Sequence, residues 1–223
     1  MAETTAPSAM SPAEEEAVYY HEAALNASWT GVRLALGGMS FLFGAFVFAF
    51  FYLKSLNSHG LWYPSTGQFA TVPKAWYGVV IMALVVVSAI VQTAVLQLIK
   101  QGNKAAWHRG AVVALVLGLA AVVLSIVQLL SLPFWPGASG FASVFVGFWP
   151  VYLFIALCAM VWLEMLIMRA RSIPQISFVE QPPTYAEAFA VQRFQASLSA
   201  FTLTWNYLAV MAIIAWILFY LVH

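Results

Sequence analysis

Residues 111–132 read AVVALVLGLAAVVLSIVQLLSL, twenty-two positions from Ala111 to Leu132 without one charge. A helix that crosses the ~30 Å hydrocarbon layer of a bilayer needs about 20 mostly apolar residues. A membrane barrel strand would alternate in character over ~10 residues instead. With no water in the bilayer core, a helix satisfies its own backbone, so this stretch reads as a transmembrane helix. Arg109 precedes it and Pro133 follows it.

Four further stretches repeat the pattern. They are Leu34–Leu53 between Arg33 and Lys54, Ala75–Ile99 between Lys74 and Lys100, Phe141–Met168 before Arg169, and Phe194–Val222 after Arg193. The expected fold is therefore an all-α integral membrane bundle of five helices. Composition agrees: 63% of the 223 residues are hydrophobic and 8% are charged. Soluble domains carry about 25% charged residues. A soluble enzyme, a disordered chain and a nucleic-acid binder with a basic face are excluded. The net charge of +1 gives no bulk field to steer a charged partner.

Five crossings place the N-terminus, the loop at 101–110 and the loop at 169–195 on one side. That side holds seven cations, Arg33, Lys100, Lys104, Arg109, Arg169, Arg171 and Arg193, against Lys54 and Lys74 on the other. By the positive-inside rule the N-terminus is inside and the C-terminus outside. Trp62-Tyr63-Pro64 and Phe134-Trp135-Pro136 then supply an interfacial aromatic belt on the outer side. Residues 1–27 form an acidic segment: a tail to about Ser11 and a short surface helix near Glu14 to Ala27. It has neither the basic start nor the apolar core expected of a signal peptide. Residues 28–223 make up the membrane domain. Thr184 stands three residues before Glu187, a capping-box spacing that predicts a helix from about Tyr185 into the fifth span.

Gly110, Ala114, Gly118, Ala121, Ser125 and Gln128 are spaced 4, 4, 3, 4 and 3, one stripe of small or polar residues on a helix. Such stripes let membrane helices approach closely, either within a bundle or towards another subunit. Gly37, Ser40 and Gly44 repeat the spacing in the first span, and Pro150 is expected to bend the fourth. Glu164 is the one acid inside any span. It is either a proton-relay carboxyl or a group that snorkels to the interface or pairs with Arg169. Asn206, with Gln92, Gln97 and Gln128, is an uncharged candidate for interhelical hydrogen bonding.

His21, His59, His108 and His223 all lie outside the apolar stretches, so no His ligands for haem or copper stand within the spans. The single Cys158 allows no internal disulfide, and no phosphate loop, H-E-x-x-H or G-x-S-x-G motif occurs. Such a chain is expected to bind no cofactor, hold no metal and perform no catalysis alone.

Across about residues 30–222, the layout resembles subunit III of the haem–copper terminal oxidases in its short, five-helix bacterial form. The resemblance lies in the first span with Trp62-Tyr63-Pro64, in Ala142-Ser143-Val144-Phe145 after a Gly-containing loop, and in Trp205-Asn206-Tyr207 followed by Trp216 and Phe219-Tyr220. It implies a non-catalytic, stabilising subunit of an aerobic cytochrome c oxidase in the bacterial plasma membrane. Such a subunit packs on the catalytic subunit that carries haem and copper, and binds phospholipids. The family's acid in the first helix has no counterpart at Gly38 to Phe43, and its last-helix His and Asp positions are Asn206 and Ala209. The resemblance therefore lends no support to a proton-antenna role. Two other readings stay open: an accessory subunit of a different respiratory or nitric-oxide-reducing complex, and a small transporter built around Glu164 and Pro150.

Overall fold

A computed structural model describes residues 12–56, 61–66, 69–174, 178 and 185–222. Five helices among them are long and apolar enough to cross a membrane. They are α1 (Pro12–Leu56), α2 (Ala75–Lys100), α3 (Lys104–Leu130), α4 (Gly140–Ser172) and α5 (Tyr185–Trp216). A short ladder pairs Ser65–Thr66 with Phe69–Ala70 between α1 and α2. The expected tail at residues 1–11 and the cap residue Thr184 lie outside the described residues.

The surface helix expected at Glu14 to Ala27 and the first span are one uninterrupted helix. No proline interrupts residues 13–56, and glycines are tolerated in a helix where lipid denies the backbone other partners. At ~1.5 Å per residue α1 is about 68 Å long, so it runs well beyond a ~30 Å hydrocarbon layer.

α2 and α3 form a hairpin whose turn chemistry is written in Lys100 to Lys104. Gly102 takes φ +80°, a conformation that favours glycine. Its N–H bonds to Ile99 O at 3.0 Å, and the Asn103 N–H reaches Leu98 O at 2.9 Å. That pair is a Schellman closure. The Asn103 side chain then accepts from the Ala106 N–H at 3.0 Å, capping α3.

The helices pack so that α5 meets α1, α2 and α4, while α3 bridges α2 and α4 and α1 lies along α4 and α5. In the most apolar window of α5, 56% of the residues are buried, against 11% for α1. α5 is the core helix and α1 the peripheral one.

At one end the bundle is locked by rings. Phe50 of α1 meets Trp62 at 5.2 Å and Phe219 at 5.7 Å between centroids. Phe145 of α4 meets Phe141 and Phe219. The Phe141 N–H donates to Trp62 O at 3.1 Å, tying the first connection to the start of α4. Burial raises the Tyr63 phenol above its ordinary pKa.

α5 passes into a π-turn at Ile217–Leu221, and there Leu218, Phe219 and Tyr220 are all buried. In an ordinary α-helix three consecutive side chains fan over about 200° and cannot share one face. The wider turn brings them closer together.

The stripe on α3 faces inward. Trp107, Ala111, Ala114, Gly118, Ala121, Ser125 and Gln128 are buried. A Cβ at Gly110 would collide with Val95 of α2, and one at Gly118 with Met160 of α4, with Trp205 of α5 at 3.3 Å. The close approach is between helices of this bundle. A Gly118→Leu variant, with a side chain in space already occupied, should lose about 1–3 kcal/mol of stability. SDS titration of the purified chain in mixed micelles measures this, and an unchanged unfolding midpoint would remove the seam.

Candidate functional site

Lipid offers no hydrogen bonds, so each polar side chain within a span must find a partner in protein or reach an interface. Six of these side chains collect where α2 and α5 meet. Ser88 on α2 donates to Ala114 O at 2.7 Å and accepts from Trp205 Nε1 at 3.0 Å, joining three helices through one hydroxyl. One turn on, Gln92 reaches Thr202 Oγ1 at 3.4 Å. Thr93 donates to Ala89 O at 2.9 Å, within its own helix, and accepts from Asn206 Nδ2 at 3.0 Å.

The spacing explains the arrangement. Ser88 and Gln92 stand four apart on α2, and Thr202, Trp205 and Asn206 stand three and four apart on α5. Each set makes a stripe. Ser88, Gln92, Thr202 and Trp205 are buried, while Asn206 sits at the rim, half-buried. The role expected for Asn206, hydrogen bonding between helices, is the one it has here. Gln92 Oε1 has no hydrogen-bond partner among the described residues. Ser88, Thr202 and Trp205 are the members that a search for lone polar residues passes over. The signal that finds them is the shared spacing on two helices.

Outlying bonds fix the other helices to α5. Ser40 of α1 is 3.0 Å from Tyr207 Oη, and Tyr152 of α4 donates to Leu208 O at 3.0 Å. Gln128, the last member of the α3 stripe, donates to Tyr220 Oη. The Lys54 ammonium donates to Val222 O at the ring-locked end.

The described residues leave little free space beside the seam itself. A void of about 10 Å³ lies among Gly118, Ser125, Tyr152 and Trp205, barely the volume one water centre requires. A larger cavity of about 120 Å³ opens at the ring-locked end between Pro73, Lys74, Tyr77, Gln128 and Ser131. No group of three or more His, Cys, Asp or Glu residues that could hold a metal ion occurs among the described residues. His21 packs its ring on Phe189 at 4.0 Å, and His59 and His223 lie outside the described residues.

Glu164 is separate from this seam. It is exposed on α4, and no ion pair joins it to Arg169 or to any other described residue. Pro150 is also on an exposed position, and α4 continues through it. The geometry therefore brings Gln128 and Asn206 into the bonded interior and leaves Glu164 outside it. Neither protein-family models nor curated protein sequences include a match to the chain.

The seam can join helices; its neutral hydroxyl, amide and indole groups supply no titrating group near neutral pH. Thr93→Val and Asn206→Leu should each lower stability by about 0.6 kcal/mol, with ~1.7 kcal/mol as the upper bound for such bonds in membranes. The double variant should cost less than the sum of the two. SDS unfolding of the single and double variants checks both points.

Proposed function

We propose that the chain is the non-catalytic, stabilising subunit III of an aerobic respiratory haem–copper terminal oxidase in a bacterial plasma membrane. It packs on the catalytic subunit, which carries the haem and copper, and its apolar outer surface binds phospholipids. An N-terminus on the cytoplasmic side is part of this reading, supported by the seven-to-two excess of Lys and Arg on that side.

The observation that carries this reading is where the polar groups go. The hydroxyl, amide and indole groups of α2 and α5 are spent on each other, and the void beside them holds about 10 Å³. A transporter needs a polar path with room for its substrate, whereas a scaffold needs a bonded interior and an apolar exterior. The exterior is apolar on every helix, with Leu34, Phe41, Ile90, Val116, Phe154 and Val210 among the exposed side chains. The resemblance in layout and in Trp205-Asn206-Tyr207 supplies the family.

Purification of the assembly from native membranes, followed by optical spectroscopy and metal analysis, tests the reading. The expected outcome is haem and copper in the complex, held by another chain, and neither on this chain after dissociation. A haem spectrum that stays with this chain, or an assembly without haem and copper, would contradict it.

A further inference from the structure

Glu164, the one carboxyl inside the apolar stretches, has no partner among the described residues. Glu164 stands on the outward side of α4 among Leu157, Val161, Met165 and Met168, all exposed, with Phe154 at 68% exposure continuing the face. These positions recur every three or four residues, so they form one stripe. Arg169 follows by five residues, about 7.5 Å further along the axis, and it is not paired with Glu164. Each polar residue of the α2–α5 seam, by contrast, makes a hydrogen bond within the bundle, and Ser88, Gln92 and Thr202 are buried. A carboxyl group set in an apolar stripe of a spanning helix is costly without a partner.

We propose that this face of α4, Phe154 to Met168, is where the partner subunit seats a membrane helix, and that this helix presents an Arg or Lys to Glu164. The proposal rests on the reading that the chain is one subunit of a larger assembly, and it names the surface. Charge complementarity selects the occupant. An anionic lipid phosphate repels a carboxylate, whereas the ammonium of a zwitterionic lipid attracts one, so crosslinking to lipid alone is the competing outcome. A second copy docked in parallel about this face would set Glu164 against Glu164. A helix that is apolar except for one cation satisfies both the stripe and the acid.

The test uses the native assembly. A photo-crosslinking residue replaces Met165 on this face or, as a control, Ile90 on the outward side of α2, which is 62% exposed. Irradiation should join position 165, and not position 90, to a membrane helix of the haem-bearing subunit. In parallel, Glu164→Lys should lower the co-purified partner at least tenfold, roughly the loss expected for breaking a buried charge pair. The unfolding midpoint of the isolated chain should not move, because Glu164 has no partner inside the bundle. Crosslinking of position 165 to lipid alone or to a second copy would overturn the proposal, as would wild-type partner recovery with Glu164→Lys. If the assembly lacks haem and copper but position 165 still joins a membrane subunit and Glu164→Lys still releases it, the functional reading falls and the docking face stands.

Discussion

A bilayer core supplies no hydrogen-bond partners, and the arrangement of this protein follows from that constraint. Ser88, Gln92 and Thr93 would be a liability on a helix facing lipid. Placed against Thr202, Trp205 and Asn206 they become the attachment between α2 and α5. Because α5 also meets α1 and α4, its register sets the register of the bundle. The small residues of α3 then close around the same centre, with Gly118 against Met160 and Trp205. Apolar transfer contributes little to helix association in lipid, so close packing and these bonds carry it.

Bonding is concentrated inside the bundle, and the outer surface is left apolar. α1 shows the consequence most plainly. A Cβ added at Gly31, Gly37, Gly38 or Gly44 would meet nothing within 4 Å, while Phe41 is 82% exposed. The helix is held at its ring-locked end by Phe50 and Lys54 and in its middle by Phe43 and Ser40.

Much of the fold was legible from the residues, and the gaps have physical reasons. The five spans were plain because lipid imposes a length and a polarity that no soluble element imitates. The α3 stripe is legible as a face, and Thr184, three residues before Glu187 in sequence, points to the start of α5 at Tyr185. What covers a face is another matter. The stripe at Gly110 to Gln128 and the triplet Gly37, Ser40, Gly44 have the same spacing, yet the first is buried from Ala114 to Gln128 and the second is exposed. Periodicity assigns residues to a side of a helix and says nothing about what lies against that side. The continuity of α1 through Ala27 leaves no mark in composition, because Glu-rich and apolar segments differ in polarity but not in helical preference. The π-turn left only a trace, three large residues in a row at Leu218 to Tyr220. The polar pairs needed two helices read together, since neither Ser88 nor Trp205 stands out alone.

The central claim is that hydrogen bonds across the α2–α5 seam hold the bundle in register. A double-mutant cycle on Ser88→Ala and Trp205→Phe, read by SDS unfolding in mixed micelles, tests it most directly. The account predicts a coupling energy of about 0.6 kcal/mol, with ~1.7 kcal/mol as the ceiling for such a bond in a membrane. Strictly additive effects of the two substitutions would contradict it.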